Sequence, residues 1–389
     1  MVFTPLRPLT RIRVLGFWGT PGDMKAFLRV ANAAGAIVLS GLLTGAQAAG
    51  PDLPAVEQGY ETVKVAEGIY AFIFPESNGA IVSGNSIAIV GDDGVLVVDS
   101  GHFPSLTARM IDQVRHWTDQ PVRFLVNTHW HPDHNSGNGL YRHTFPGLQI
   151  ISTPTTREEM ETVLPKKEVN EAKITQIEDI VKKGVFSDGT PLGPTDRKYF
   201  EKVAAELEAF RPELKNADHA LPSLTFKDEL DVYLGKREVQ VMFLGRGNTG
   251  GDAIIYVPDS KVLIPGDLLV YPVPYPFGSY IGEWIGVLKQ LEAMQATVIV
   301  PGHGPVMHDQ KYLDLTVRLL EATKNQVDAA VKQGLSLEEA KKKVNLSELR
   351  EAFVGDDKDR GYVFDGGYVP VAVTRSYREA KEGPLHDEN

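Results

Sequence analysis

The chain of 389 residues contains no cysteine. That absence removes a disulfide framework, a thiolate nucleophile, an iron–sulfur cluster and any cysteine-ligated zinc in one step. It also lacks a cationic excess, since 40 basic residues stand against 51 acidic ones for a net charge of −11. Nucleic acids and anionic membrane surfaces need basic groups to neutralise phosphate, so neither is expected as a partner. What remains is ordinary globular composition, 42% hydrophobic and 23% charged, enough for one large domain or two modest ones. Any reactive centre must therefore be built from His, Asp, Glu, Ser and related groups.

Residues 24–48 read as a secretory signal peptide. Lys25 and Arg29 give a positive start, residues 30–43 an apolar core, and Ala46-Gln47-Ala48 a small-x-small cleavage pattern. The apolar core is too short for a membrane span of about 20 residues. A buried N-terminal helix is the alternative, but the stretch is rich in Gly and Ala and lacks caps. Residues 1–23 then form an upstream extension before Met24, and the exported chain, periplasmic or secreted, begins after Ala48. Cleavage there removes Arg7, Arg11, Arg13, Lys25 and Arg29 together with one acid, Asp23, and shifts the net charge from −11 to −15. A cysteine-free chain also avoids mispairing in an oxidising compartment.

Residues 49–389 read as a single α/β domain. Short β-rich runs at 63–65, 69–74, 86–90 and 95–98 are divided by Glu67-Gly68, Asn78-Gly79 and Asp92-Asp93-Gly94, which predicts a meander of hairpins. Residues 106–117 take helical spacing and 122–126 form a buried-type strand, the start of an α/β alternation. Residues 155–220 are rich in Lys and Glu, and Phe200, Val203, Leu207 and Phe210 recur at helical intervals, which predicts a helical insertion. Strands resume at 239–244, 253–257, 262–264 and 297–300. Residues 309–380 are helical, with Gly334 ending one helix and Ser336 and Glu339 forming a capping box for the next.

Directly after the apolar strand comes Asn127-Thr128-His129-Trp130-His131-Pro132-Asp133-His134. Three imidazoles and a carboxylate in six residues are the nitrogen and oxygen donors that a zinc-like divalent ion prefers. A chance His-rich surface loop is the bland alternative, and it is weakened by the fact that three of only 10 histidines fall here. In an extended segment His129, His131 and Asp133 alternate onto one side, while a turn at Pro132-Asp133 points His134 to a second position. Two adjacent metals are favoured over one.

These residues make the chain resemble the metallo-β-lactamase-fold hydrolase superfamily, whose H-x-H-x-D-H signature stands here as His129 to His134. The other motifs follow in family order: Val97-Val98-Asp99-Ser100-Gly101, Leu263-Ile264-Pro265-Gly266-Asp267 and Ile299-Val300-Pro301-Gly302-His303-Gly304. The resemblance covers roughly residues 60–308 and implies a four-layered αββα sandwich, here with a helical insertion and a helical C-terminus. It further implies that His129 and His131 hold one metal, that Asp133, His134 and His303 hold a second, and that Asp267 touches both. Asp99 would buttress the ligands without binding metal. A metal-bound water of lowered pKa would attack a carbonyl or phosphorus of a small-molecule substrate, with Asp133 orienting it.

One ligand departs from the pattern. Where the family has G-x-x-H-T-x-G, this chain has Gly245-Arg246-Gly247-Asn248-Thr249-Gly250-Gly251, so Asn248 replaces a histidine of the first metal site. An amide oxygen is a weak neutral donor beside imidazole. Asn248 could coordinate weakly, leave the first site vacant, donate its NH2 to a substrate oxyanion, or mark a member that binds without catalysing. His102, a stray histidine near a site-facing loop, either substitutes for the missing ligand or has a surface or capping role. The missing cysteine sets aside two of the three true lactamase subclasses. The signature resembles the third, whereas Asp267 resembles glyoxalase II and lactonases. Ester, lactone, amide or β-lactam, and thioester substrates stay open. Tyr271, Tyr275 and Phe277, in a stiff aromatic loop after Asp267, could wall an apolar pocket or pack as core. Trp130 and Arg246 are further pocket candidates. Trp130 either reaches the mouth or packs behind it, and Arg246 either binds a substrate carboxylate or, as a single Arg more often does, forms a surface ion pair. Trp284 is expected in the core.

Overall fold

The computed structural model describes residues 59–74 and 83–386, apart from 168–170, 187–188, 190, 215–216, 358–359 and 362. The expected extension, the signal peptide and the Asn78-Gly79 turn lie outside the described residues, as does the side chain of Phe210. Seven strands form one sheet in chain order: β1 (Glu61–Ala66), β2 (Ile69–Ile73), β3 (Ser86–Val90), β4 (Val95–Val98), β5 (Val122–Val126), β6 (Gln149–Ser152) and β7 (Leu224–Thr225). Pairing is antiparallel up to β4 and parallel from there, because the connections after β4 are helices. The second sheet holds β8 (Glu229–Leu234), β9 (Arg237–Met242), β10 (Ile254–Val257), β11 (Val262–Val270) and β12 (Val298–His303), antiparallel except for β11 against β12.

Side-chain alternation in the strands produces the layers. Leu96 and Val98 of β4 point between the sheets with Ile87, Ile89, Val239, Val241, Ile255 and Val300. Val95 and Val97 point outwards onto Leu106, Met110 and Val114 of the helix Pro104–Trp117 and onto Ile177, Phe200 and Leu207 of the 155–220 region. A strand buried on both faces needs such an unbroken apolar run. On the far side Ile254, Leu263 and Ile299 of the second sheet pack against Trp284 and Leu288 of the helix Ile281–Ala293 and against Leu313 and Leu320 of the helix Lys311–Lys332. The result is a four-layered αββα sandwich with a helical C-terminus. Trp284 is fully buried, and its Nε1 donates to the Leu268 carbonyl at 3.1 Å. Ser336 and Glu339 make the expected capping box. No helix among the described residues is long and apolar enough to cross a membrane.

Helices Pro154–Thr162, Glu171–Lys183 and Pro194–Leu214 occupy the 155–220 region. Among the polar contacts that dock it, one caps a neighbouring helix. The helix Pro104–Trp117 has no side-chain cap of its own, and buried Glu213 supplies one by accepting from Ser105 N at 2.9 Å and Ser105 Oγ at 2.6 Å. Glu213→Ala is expected to cost about 1–2 kcal/mol in a denaturant titration, the usual range for a lost cap, and Glu213→Gln less. Equal stability of all three proteins would remove this role.

Candidate metal centre

Side chains from both sheets meet at one rim. Asp99, just beyond β4, has φ of 56°, a left-handed conformation that Asp tolerates better than most residues. Its Oδ1 accepts from Thr128 N at 2.8 Å, and its Oδ2 accepts from Thr128 Oγ1 at 2.7 Å and from His134 Nδ1 at 2.8 Å. With its hydrogen given to Asp99, the Thr128 hydroxyl can only accept from His129 Nδ1, which lies 3.0 Å away. One buried carboxylate thereby fixes two rings with both Nε2 lone pairs free.

Those lone pairs converge. His129 Nε2 lies 2.9 Å from His131 Nδ1 and 3.7 Å from Asp267 Oδ2. His134 Nε2 lies 3.2 Å from His303 Nε2, 3.3 Å from Asp267 Oδ1 and 3.5 Å from Asp133 Oδ2. His129, His131 and Asp267 thus form one group able to hold an ion, and Asp133, His134 and His303 a second. Asp267 faces the first group with one oxygen and the second with the other. Asp133 does not sit with His129 and His131 as simple alternation predicts. Pro132 opens a helical turn, Pro132–Asn135, that carries Asp133 over to His134.

The electrostatics favour a cation. Burial works against charge on Asp267, yet His303, His134 and His129 hold its carboxyl well below the ordinary range. Burial likewise opposes charge on His134 and His303, but Asp267 and Asp133 draw both upward, His303 to about 9. His129 goes the other way, because burial and the neighbouring His134 and His131 push its ring well below its usual value. Asp267 Oδ1 is buried without a hydrogen bond. An orphaned carboxylate oxygen among converging imidazole lone pairs is the donor set that a divalent ion satisfies.

Close backbone approach frames the centre. A Cβ on Gly84 would overlap the His134 imidazole, and one on Gly302 would overlap Asp267 Oδ1. Asn85 joins the two ends of the fold: its Nδ2 donates to the carbonyls of Pro301 at 2.9 Å and Gly304 at 2.8 Å, and its N to that of Gly302 at 2.7 Å. Sequence reasoning missed Gly84, Asn85, Thr128 and Gly302, although Gly302 lies within a family motif and Thr128 directly precedes another.

The remaining candidates are placed differently. Asn248 is 1% exposed. His102 is buried and stacked on Phe103 at 4.5 Å, and it joins neither donor group. Trp130 is buried behind His131 with Met160 and Leu164, so it backs the ligand and does not line a mouth. The guanidinium of Arg246 is taken up by Glu283, the Leu385 carbonyl and the face of Tyr280, which makes it the ion pair of the two readings and a tie to the C-terminal segment, not a substrate anchor. Tyr271 N donates to the His303 carbonyl at 3.1 Å, and the Tyr275 carbonyl accepts from Asn248 Nδ2 at 2.8 Å. The rings of Tyr275 and Phe277 are half-buried and stacked 6.3 Å apart.

The sequence profile described as the metallo-beta-lactamase superfamily matches residues 80–303, more than half of the chain, and the protein belongs to that superfamily. It is 24% identical over 269 residues to the linear primary-alkylsulfatase of Pseudomonas sp. (strain ATCC 19151), covering 66% of this chain and 49% of the other. The chain thus spans about half the length of that relative. It is 21% identical over 292 residues to the metallo-beta-lactamase type 2 of Elizabethkingia meningoseptica, covering 73% and 93% of the two chains. The solved metallo-beta-lactamase from Pontibacter korlensis aligns over 67% of this chain and 99% of that one, at 20% identity and a TM-score of 0.47.

Proposed function

We propose that the protein is an exported, zinc-dependent hydrolase of a small-molecule ester, lactone, amide or β-lactam, or thioester. The observation that carries this reading is the Asp267 carboxylate, with one oxygen 3.7 Å from His129 Nε2 and the other 3.3 Å from His134 Nε2, between two groups of donors. His129, His131 and Asp267 would hold one ion, and Asp133, His134, His303 and Asp267 the other. When bound, such ions supply Lewis acidity and make water a nucleophile at neutral pH. Burial opposes ionisation of Asp133, yet His134 and His303 hold its carboxyl well below the usual range. It therefore remains an acceptor at neutral pH, able to orient a water. Asp99 and Thr128 keep the His134 and His129 rings aimed. Export rests on residues 24–48 and the cysteine-free composition.

The test begins with the chain recovered outside the cytoplasm, expected to start at Ala49. Its zinc is counted, and hydrolysis of a β-lactam, a lactone, a thioester, a phosphodiester and, prompted by the named alkylsulfatase, a sulfate ester is measured. We expect turnover of at least one substrate that chelator abolishes and zinc restores. Bound zinc without any turnover would favour a member that binds but does not catalyse, and turnover indifferent to chelator would reject the metal-dependent reading.

A further inference from the structure

Asn248 is buried at the turn between β9 and β10, and its two amide atoms are unequally placed. Nδ2 donates to the Tyr275 carbonyl at 2.8 Å, which fixes which end of the amide is oxygen. Oδ1 is buried with no hydrogen-bond partner, a costly state for an amide oxygen unless something else satisfies it. The turn itself is rigid. Asp252 accepts from Gly247 N at 3.0 Å, Thr249 N at 2.9 Å and Thr249 Oγ1 at 2.8 Å. Ala253 N donates to the Thr128 carbonyl at 2.7 Å, and a Cβ on Gly247 would overlap Leu268, so the turn lies against the neighbours in sequence of both His129 and Asp267.

We infer that Asn248 completes the ion site of His129, His131 and Asp267 through Oδ1 while its Nδ2 locks the aromatic loop of residues 271–280 to that site. This rests on the proposed metal-dependent reading and adds two consequences to it. The first site has a neutral amide where the second has Asp133, so it takes a divalent cation more weakly and fills second. Because one amide contacts both ion and loop, occupancy of that site and order in the loop are linked, and each favours the other. Tyr280 N, which donates to the Gly247 carbonyl at 2.8 Å, and Arg375, whose Nε donates to the Ser279 carbonyl at 2.7 Å, anchor the far end of the loop, and filling the first site adds order at Tyr275 and Phe277.

The experiment titrates the metal-free full chain with Zn2+ alone against a chromophoric chelator and follows backbone hydrogen exchange over residues 273–280. The wild type should bind in a tight and a weaker step, the weaker one slowing exchange in the loop. In Asn248→Ala the weaker step should lose about tenfold or more in affinity, and loop exchange should no longer respond to zinc. Asn248→Asp keeps the shape and the oxygen but cannot donate to Tyr275, so its weaker step should tighten while the loop exchanges faster. A structural role alone would not move the two readouts in opposite directions. If the wild type binds zinc and neither variant alters the weaker step, this inference fails and the hydrolase reading stands. If the wild type binds no zinc, both fail.

Discussion

Gly302→Ala is expected to reduce hydrolysis at least about 100-fold, the scale on which displacing a reacting group by roughly 1 Å acts. The added methyl would overlap Asp267 Oδ1 and crowd the Gly266 and Asp267 backbone. Asp267 cannot swing aside without leaving both donor groups, since its oxygens face His129 on one side and His134 and His303 on the other. The zinc count should fall with the rate. Gly286→Ala is the matched control: it lies on the helix Ile281–Ala293 with nothing within 4 Å of the new methyl, and it should leave activity unchanged while adding a few tenths of a kcal/mol to stability. A Gly302→Ala protein with wild-type kcat/KM and full zinc would show that the Asp267 position is unimportant.

Asp99→Asn should weaken zinc binding about 10- to 100-fold, the usual effect of losing a partner behind a metal ligand. Asn tolerates the left-handed backbone at this position, so the change isolates the carboxylate. The amide presents NH2 where Oδ2 now accepts from His134 Nδ1 and Thr128 Oγ1. His134 must then carry its proton on Nε2, the atom that faces His303, and Thr128 loses the acceptor that orients it toward His129. Competition against a chelator measures the loss, and a thermal melt of the metal-free protein separates it from general destabilisation. Unaltered affinity in a folded variant would mean that Asp99 does not control the rings.

Contiguous motifs made much of the centre legible before any geometry was known. His129, His131, Asp133 and His134 lie within six residues, and the motifs ending at Asp267 and His303 follow apolar runs that read as strands. Less visible were features that depend on a distant neighbour. Thr128 is an ordinary threonine until Asp99 turns its hydroxyl, and Gly302 is one of 37 glycines until Asp267 arrives beside it. Arg246 could be a substrate anchor or an ion pair in sequence, and Glu283 on the following helix with the Leu385 carbonyl decides for the second. Three strands escaped the pattern for similar reasons. β7 is two residues long, β6 four, and β8 carries Glu229 and Asp231, poor strand formers that sit on an exposed face. The strand read as ending at 264 continues to Val270, because register shifts on either side of Gly266 keep Gly266 paired with Pro301 and Val270 with His303 of β12.

The side chain of Asn85 reaches carbonyls 216 and 219 residues further along the chain, on either side of His303. Contacts of such separation close large loops and come late in folding. The first strands can pair and the two sheets can begin to collapse without them, but the rim that gathers the imidazoles cannot exist until the early and late parts of the polypeptide have met. If the chain is exported unfolded, as we propose, that order would fix where an ion is acquired: in the compartment where folding finishes, from the supply available there.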